Sequence, residues 1–321
     1  MKSLQSILNC PSLKHASLIN KGRDLLLSIL RTIFLICMSF IVLYPLLYMI
    51  SVSIRDSLDL YDPTIIWIPK TFTLQNYFDV LKNFEYPILL KNTVFISLVS
   101  TILNVICCGL AGYGFARFQF FAKKLLFAFV IIMIIIPPQN ISIPMYLQYY
   151  QFDFFGIGKL FHFHVNLLNS SMVFFMSAIF GNGIRSGLFI FIFRQFFRGM
   201  PKEFEEAAYI DGCGIIRTFL RIMLPNAKSS IISCFLFSFV WYWNDYYLTN
   251  MYFDSPCTIT VALGMLKDTL RSQGMDYFSN PYVIVTQLQA ACFLSIIPLL
   301  LIFIILQNFF TESIERTGLV G

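Results

Sequence analysis

Six apolar stretches, near 25–52, 90–115, 122–147, 171–198, 229–250 and 284–310, govern what this chain can become. A helix rising 1.5 Å per residue crosses about 30 Å of hydrocarbon with each of them. In lipid every backbone N–H and C=O needs a partner within the protein, which leaves helices or a closed barrel. The runs are too long and too uniformly apolar for the alternating strands of a barrel. The sequence therefore predicts an all-α integral membrane protein with six transmembrane helices. Its 12% of charged residues is about half of what a soluble domain carries, and its mean hydropathy is +0.72. The net charge of +6 does not point to nucleic acid, because the basic residues sit in short clusters between apolar runs, where topology places them.

Those clusters predict an orientation. With residues 1–24 as a cytoplasmic tail, the inner segments hold fourteen Lys and Arg: four in that tail, Arg117, Lys123 and Lys124, six between Arg194 and Lys228, and Arg316. The outer segments hold seven: Arg55, Lys70, Lys82, Lys91, Lys159, Lys267 and Arg271. Positive charge favours the inside, so both termini (1–24 and 311–321) are expected in the cytoplasm and 53–89 outside. No cleavable signal is evident, since the first apolar run exceeds a signal-peptide core. Of the eight cysteines, five lie in apolar runs and none forms a CxxC pair. Adjacent Cys107 and Cys108 read as small packing residues, and Cys257 has no outer-loop cysteine to pair with.

One inner segment stands apart. Pro201 to Pro225 is polar and charged, between two membrane-grade runs. Pro201 suits the first turn of a helix, and Glu203, Glu205 and Glu206 favour its positive end. Gly212 supplies the permissive residue just past the helix end. A second short helix is expected from about Gly214 to Met223, with Pro225 opening the next membrane helix. Ala207 and Ala208 keep the first helix low in profile, and Glu203, Glu206 and Ile210 share a face. Such a surface suits docking to a soluble partner; lying flat on the membrane is the bland reading.

Two spans carry interruptions. Residues 181–187, Gly-Asn-Gly-Ile-Arg-Ser-Gly, cut the fourth. Either the helix bends there and packs its polar turn against neighbours, or it breaks and lines a path with Arg185 facing water. Pro137 and Pro138 cut the third, freeing carbonyls that must face protein or a cavity. Asn92, Asn104, Asn140, Arg185, Asn244, Asp245, Gln287 and Gln289 are the polar residues in or near spans. Trp241, Tyr242 and Trp243 offer aromatic faces of the kind sugars use, but most of these residues read as helix glue or interfacial anchors.

The pattern Glu206, Ala207, Ala208, Gly212 and Ile222-x-Leu224-Pro225 resembles the cytoplasmic EAA loop, here 199–228, of ATP-binding-cassette (ABC) importer permeases. The likeness extends along the chain to the stretch from Pro69 to Asn76 and Tyr77, to Gly112 through Arg117, to Ile143 through Tyr146, to Phe193 through Phe197, and to Trp243, Asn244 and Asp245. Together these resemble the maltose-type, carbohydrate-importer branch of binding-protein-dependent permeases. Cys213 stands where that family often has Ala. The tail departs further, with Ser313, Ile314 and Glu315 in place of an expected glycine and Val320 where a Lys is usual.

The resemblance implies a type I importer permease (MetI-like) fold, with the core over 90–310, in a prokaryotic cell membrane. It implies a non-catalytic subunit that forms half of a sugar pathway. Its partners would be a second permease, two ABC ATPases and an external sugar-binding protein. Glu205, Glu206, Ala207, Ala208, Asp211 and Gly212 would couple it to the ATPases. The chain has no GxxxxGK[ST] phosphate loop, so nucleotide chemistry falls to a partner. No cofactor or metal pattern is expected; His162 and His164 read as interfacial. An ion-coupled secondary carrier is the competing class, but there is no internal repeat, and only Asp245 is a carboxylate near a span interior. A membrane enzyme lacks histidines in a ligand pattern.

Overall fold

The computed structural model describes residues 11–83, 85–153, 165–272 and 281–318. Lys2, Cys10, Lys159, His162, His164 and the tail residues 319–321 lie outside these. In chain order the helices are α1 (Pro11–Ser53), α2 (Gln75–Asn83), α3 (Tyr86–Arg117), α4 (Lys123–Ile135), α5 (Ser142–Tyr150), α6 (Met172–Ile179), α7 (Ser186–Gly199) and α8 (Glu203–Ile210). They continue as α9 (Ile215–Asn226), α10 (Lys228–Trp243), α11 (Tyr247–Tyr252), α12 (Ile259–Ser272) and α13 (Pro281–Gly318). Among the described residues, extended pairing is limited to single bridges at Arg55 with Phe72 and Phe152 with Val165.

Three expected crossings, in α1, α3 and α13, are continuous apolar helices. The other three are not single helices: the third and fourth are interrupted where Pro137, Pro138 and residues 181–187 led one to expect, the fifth where no break was expected, and each interruption has a local cause. The 122–147 run bends by 106° between α4 and the stretch Pro138–Tyr150. Ile136 sits at ψ 119, because a residue before proline is pushed out of the helical region. The 171–198 run is broken between α6 and α7, with Gly181 and Arg185 at φ 71 and φ 59. The 229–250 run breaks after Trp243, where Asn244 ends α10 and the Asp245 carboxylate accepts from the Thr249 amide in the first turn of α11. Helix α13 continues through Gly318, past the expected limit of 310.

Helix α3 is the axis of the molecule and packs against α6, α7 and α10. Between α3, α7 and the α8–α9 elbow lies an aromatic-rich core that includes Tyr113, Phe189, Phe193, Phe197, Phe219 and Met223. Gly112 allows the α3–α7 approach. A Cβ there would come within 2.5 Å of the Phe193 Cβ and 2.9 Å of the Arg194 amide nitrogen. Small residues serve membrane helices in this way, since apolar side chains gain little by leaving lipid for each other. Helix α1 is peripheral: Leu26, Phe34 and Val42 are all exposed, as suits a lipid-facing span.

A small cap closes the end where α3 begins. Arg55 is buried and donates to the Ile65 and Ile66 carbonyls and to Ser51 Oγ. Asn76 donates to the Ser53 and Arg55 carbonyls, and the Tyr77 hydroxyl meets Ser53 Oγ at 2.7 Å. Asp59 accepts from the Lys70 and Thr71 amides at 2.9 and 2.8 Å. The Pro69-to-Tyr77 signature thus fastens the 54–83 loop to the end of α1.

Candidate functional site

Helix α3 has 32 residues, about 48 Å at 1.5 Å per residue, so the cap and the Pro201–Pro225 elbow sit at opposite ends of the bundle. Met200 is extended at ψ 140, as the residue before Pro201 must be, and this stops α7 at Gly199. Pro201 lies ahead of the helix rather than in its first turn: Lys202 is the cap residue and α8 opens at Glu203. Glu203, Glu205 and Glu206 occupy the first turn, where the helix dipole favours negative charge.

The end of α8 is a Schellman closure. The Cys213 amide donates to the Ala208 carbonyl and the Gly212 amide to the Tyr209 carbonyl, at 2.9 and 3.1 Å. Gly212 has φ +78, with nothing within 4 Å of where a Cβ would stand. Glycine is therefore required there by backbone conformation and not by crowding. Helix α9 runs past its expected end at Met223. Pro225 lacks the N–H that would bond four residues back, and the helix widens into a π turn over Phe219–Met223, whose closing amide of Leu224 reaches Phe219 O. The membrane helix starts at Lys228 instead, after a 76° bend at buried Ala227.

The elbow's acidic residues divide. Glu203, Glu206 and Asp211 are exposed. Glu205 turns inward and is buried. It accepts from the Tyr113 hydroxyl at 2.7 Å, and its other oxygen lies 3.1 Å from Arg117 Nε as an ion pair without aligned hydrogen-bond geometry. Arg117 donates from its terminal nitrogen to the Met200 carbonyl at 2.8 Å. The end of α3 thereby clamps both the entry to the elbow and its first helix. Ala207 is exposed and Ala208 is buried against the core. The outward face is more apolar than its charges suggest: Ile210 is 86% exposed and Ile216 75%, with Phe204, Ile215 and Leu220 also exposed. Of these, sequence reasoning singled out only Ile210. The signal for the others was an apolar run inside a polar segment.

The break in the fourth run is held by buried Asn104. Its amide donates to the Ile184 carbonyl at 3.2 Å, and its oxygen accepts from Ser186 Oγ at 2.7 Å. Tyr242 Oη accepts from the Ile184 amide. A cavity of about 130 Å³ lies here, lined by Pro138, Asn182, Arg185, Ser186, Gly187 and neighbours. The Pro138 kink and the 181–187 break thus line one space. Arg185 is exposed and stacks 5.6 Å from the Trp241 ring. Asn244 and Asp245 serve the backbone: Asn244 donates to Val240 O, and Asp245 accepts from the Thr249 amide and hydroxyl, both at 2.8 Å. Trp243 is buried.

A crystal structure of a bacterial ABC transporter involved in the import of the acidic polysaccharide alginate shares this fold, with TM-score 0.71 at 18% identity over 89% of this chain and 97% of that one. The arabinooligosaccharides transport system permease of Halalkalibacterium halodurans is 28% identical over 92% of this chain and 98% of its own. A "Probable ABC transporter permease protein" of Pyrococcus horikoshii is 33% identical over 59% of this chain and 63% of its own. These relatives are named as transport permeases and not as enzymes. The family model described as binding-protein-dependent transport system inner membrane component matches residues 106–316, a segment that holds the elbow, the Asn104 neighbour Ser186 and all three broken spans. The chain belongs to that family of membrane transport components.

Proposed function

We propose that this chain forms half of the pathway of an ATP-driven sugar importer, with the elbow as the element that seats in an ABC ATPase. Two ATPases, a second permease and an external sugar-binding protein complete the assembly. Sugar is the solute class favoured by the relative that carries arabinooligosaccharides. Both termini and the elbow face the cytoplasm, on the strength of the Lys and Arg distribution.

The observation that carries the reading is the elbow's two-sided build. Its inner face is anchored by Glu205 to Arg117 and Tyr113. Its outer face shows Ile210, Ile216 and Phe204 to water beside Glu203, Glu206 and Asp211. Large aliphatics exposed away from lipid mark an interaction surface. Ala207 permits close approach, and Gly212 sets the angle between the two arms. Glu205 acts here as the anchor and Ala208 packs on the same inner side, while Glu206, Ala207, Asp211 and Gly212 shape the docking side.

Co-expression with the ATPase tests this. The paired change Ile210→Asp with Ile216→Asp should leave membrane insertion unchanged and abolish ATPase co-purification. A cysteine at Ile216 should crosslink to the ATPase. An Asp pair that still brings down ATPase would defeat the assignment.

A further inference from the structure

We infer that a basic recess between α3, α4 and α7 binds the phosphate of an anionic phospholipid in the leaflet on the elbow side. Lys123, Lys124, Arg194 and Arg198 converge on it, walled by Phe115, Phe120 and Phe127. Among the described residues, none of the four cations is in an ion pair; the pairs there are Arg23 with Asp24, Lys70 with Asp62, and Arg117 with Glu205. The Lys123 ammonium donates to the Phe118 carbonyl at 2.7 Å, which leaves protons to spare. The Arg194 guanidinium lies 3.9 Å above the Phe127 ring, and its buried Nε has no partner. Like charges gathered without a counter-ion repel one another, and an oxyanion offering several acceptors removes that cost.

Position selects a lipid over a soluble anion. The recess lies where α3 ends, α4 begins and α7 ends, which is the level of the headgroups. Phe121 on the turn before α4 is 97% exposed, in the place of an interfacial aromatic anchor. Below it Leu125, Phe129, Ile132 and Met133 are exposed along α4, at helical spacing that acyl chains can follow. Basic pockets between transmembrane helices at this depth take phosphate headgroups.

The test uses the purified full chain in nanodiscs of phosphatidylcholine with a graded fraction of phosphatidylglycerol. Native mass spectrometry reads retained lipid, and thermal unfolding reads stabilisation. Wild type should retain phosphatidylglycerol and unfold at higher temperature with it. Lys123→Gln with Arg198→Gln should weaken retention about thirtyfold, at roughly 1 kcal/mol per cation near an anionic surface. The charge-conserving pair Lys123→Arg with Arg198→Lys should keep it, which separates loss of charge from loss of fold. Equal retention of both lipids by wild type would overturn the inference. So would equal losses in the two variant pairs, or inorganic phosphate matching the stabilisation by phosphatidylglycerol.

Discussion

Glu205 and Gly212 show how differently two residues of one motif are constrained. Removing the Glu205 carboxylate strands Arg117 in a site where both side chains are about nine-tenths covered. Breaking a buried ion pair from one side costs about 3–5 kcal/mol, so Glu205→Ala should lower the unfolding midpoint in detergent markedly. Tyr113→Phe should cost less, about 1–3 kcal/mol, for one unsatisfied acceptor. Gly212→Ala meets no atom and pays only for its left-handed backbone, about 1–2 kcal/mol. Gly212→Pro is more severe, because it also removes the amide that closes the helix; it should abolish uptake by the assembled importer while ATPase subunits alone stay active. Unchanged uptake in that variant would count against the elbow as coupling element. The sequence could place Gly212 correctly because the need is local. It could not tell Glu205 from Glu206, since which carboxylate turns inward depends on Tyr113 and Arg117, about ninety residues earlier.

The elements divide along the same line. Uninterrupted apolar runs were legible as straight spans, because lipid leaves a helix no other choice. Bent ones were legible only as interruptions. Pro137 announced a kink but not its 106°, and the 181–187 break that shares its cavity is held by Asn104 and Tyr242 from other helices. Pro225 misled about the start of the next helix because the π turn absorbed it. In the cap, the element-scale prediction concerns pH. Burial works to raise the Asp59 carboxyl, but hydrogen bonds from Thr71 and Lys70, with Arg55 nearby, outweigh it and hold the group below its usual 3.8. A depressed carboxylate stabilises the fold above 3.8 and loses that contribution as pH falls through the lower folded value. Amide exchange at Lys70 and Thr71, corrected for intrinsic rates, should accelerate relative to α3 as samples are acidified below that point. Unchanged relative protection would show that Asp59 does not hold the loop.

For the whole molecule, two cysteines at opposite ends report which end faces which compartment. Cys213 is partly exposed on the elbow, and Cys257 is partly buried near the opposite end. Burial pushes the Cys257 thiol up to about 11, so little thiolate exists at neutral pH. In sealed right-side-out vesicles an impermeant maleimide should spare Cys213 until the membrane is opened, and should modify Cys257 slowly throughout. Rapid labelling of Cys213 in intact vesicles would invert the topology and remove the coupling reading with it.

The clamp of Arg117 on Glu205 and Met200 has a mechanical consequence. A hinge left loose at its root would swallow any stroke delivered to its tip. This one is pinned at the root by charge, hydroxyl and carbonyl together, which fixes the elbow's first helix to the end of α3 and to the aromatic core behind it.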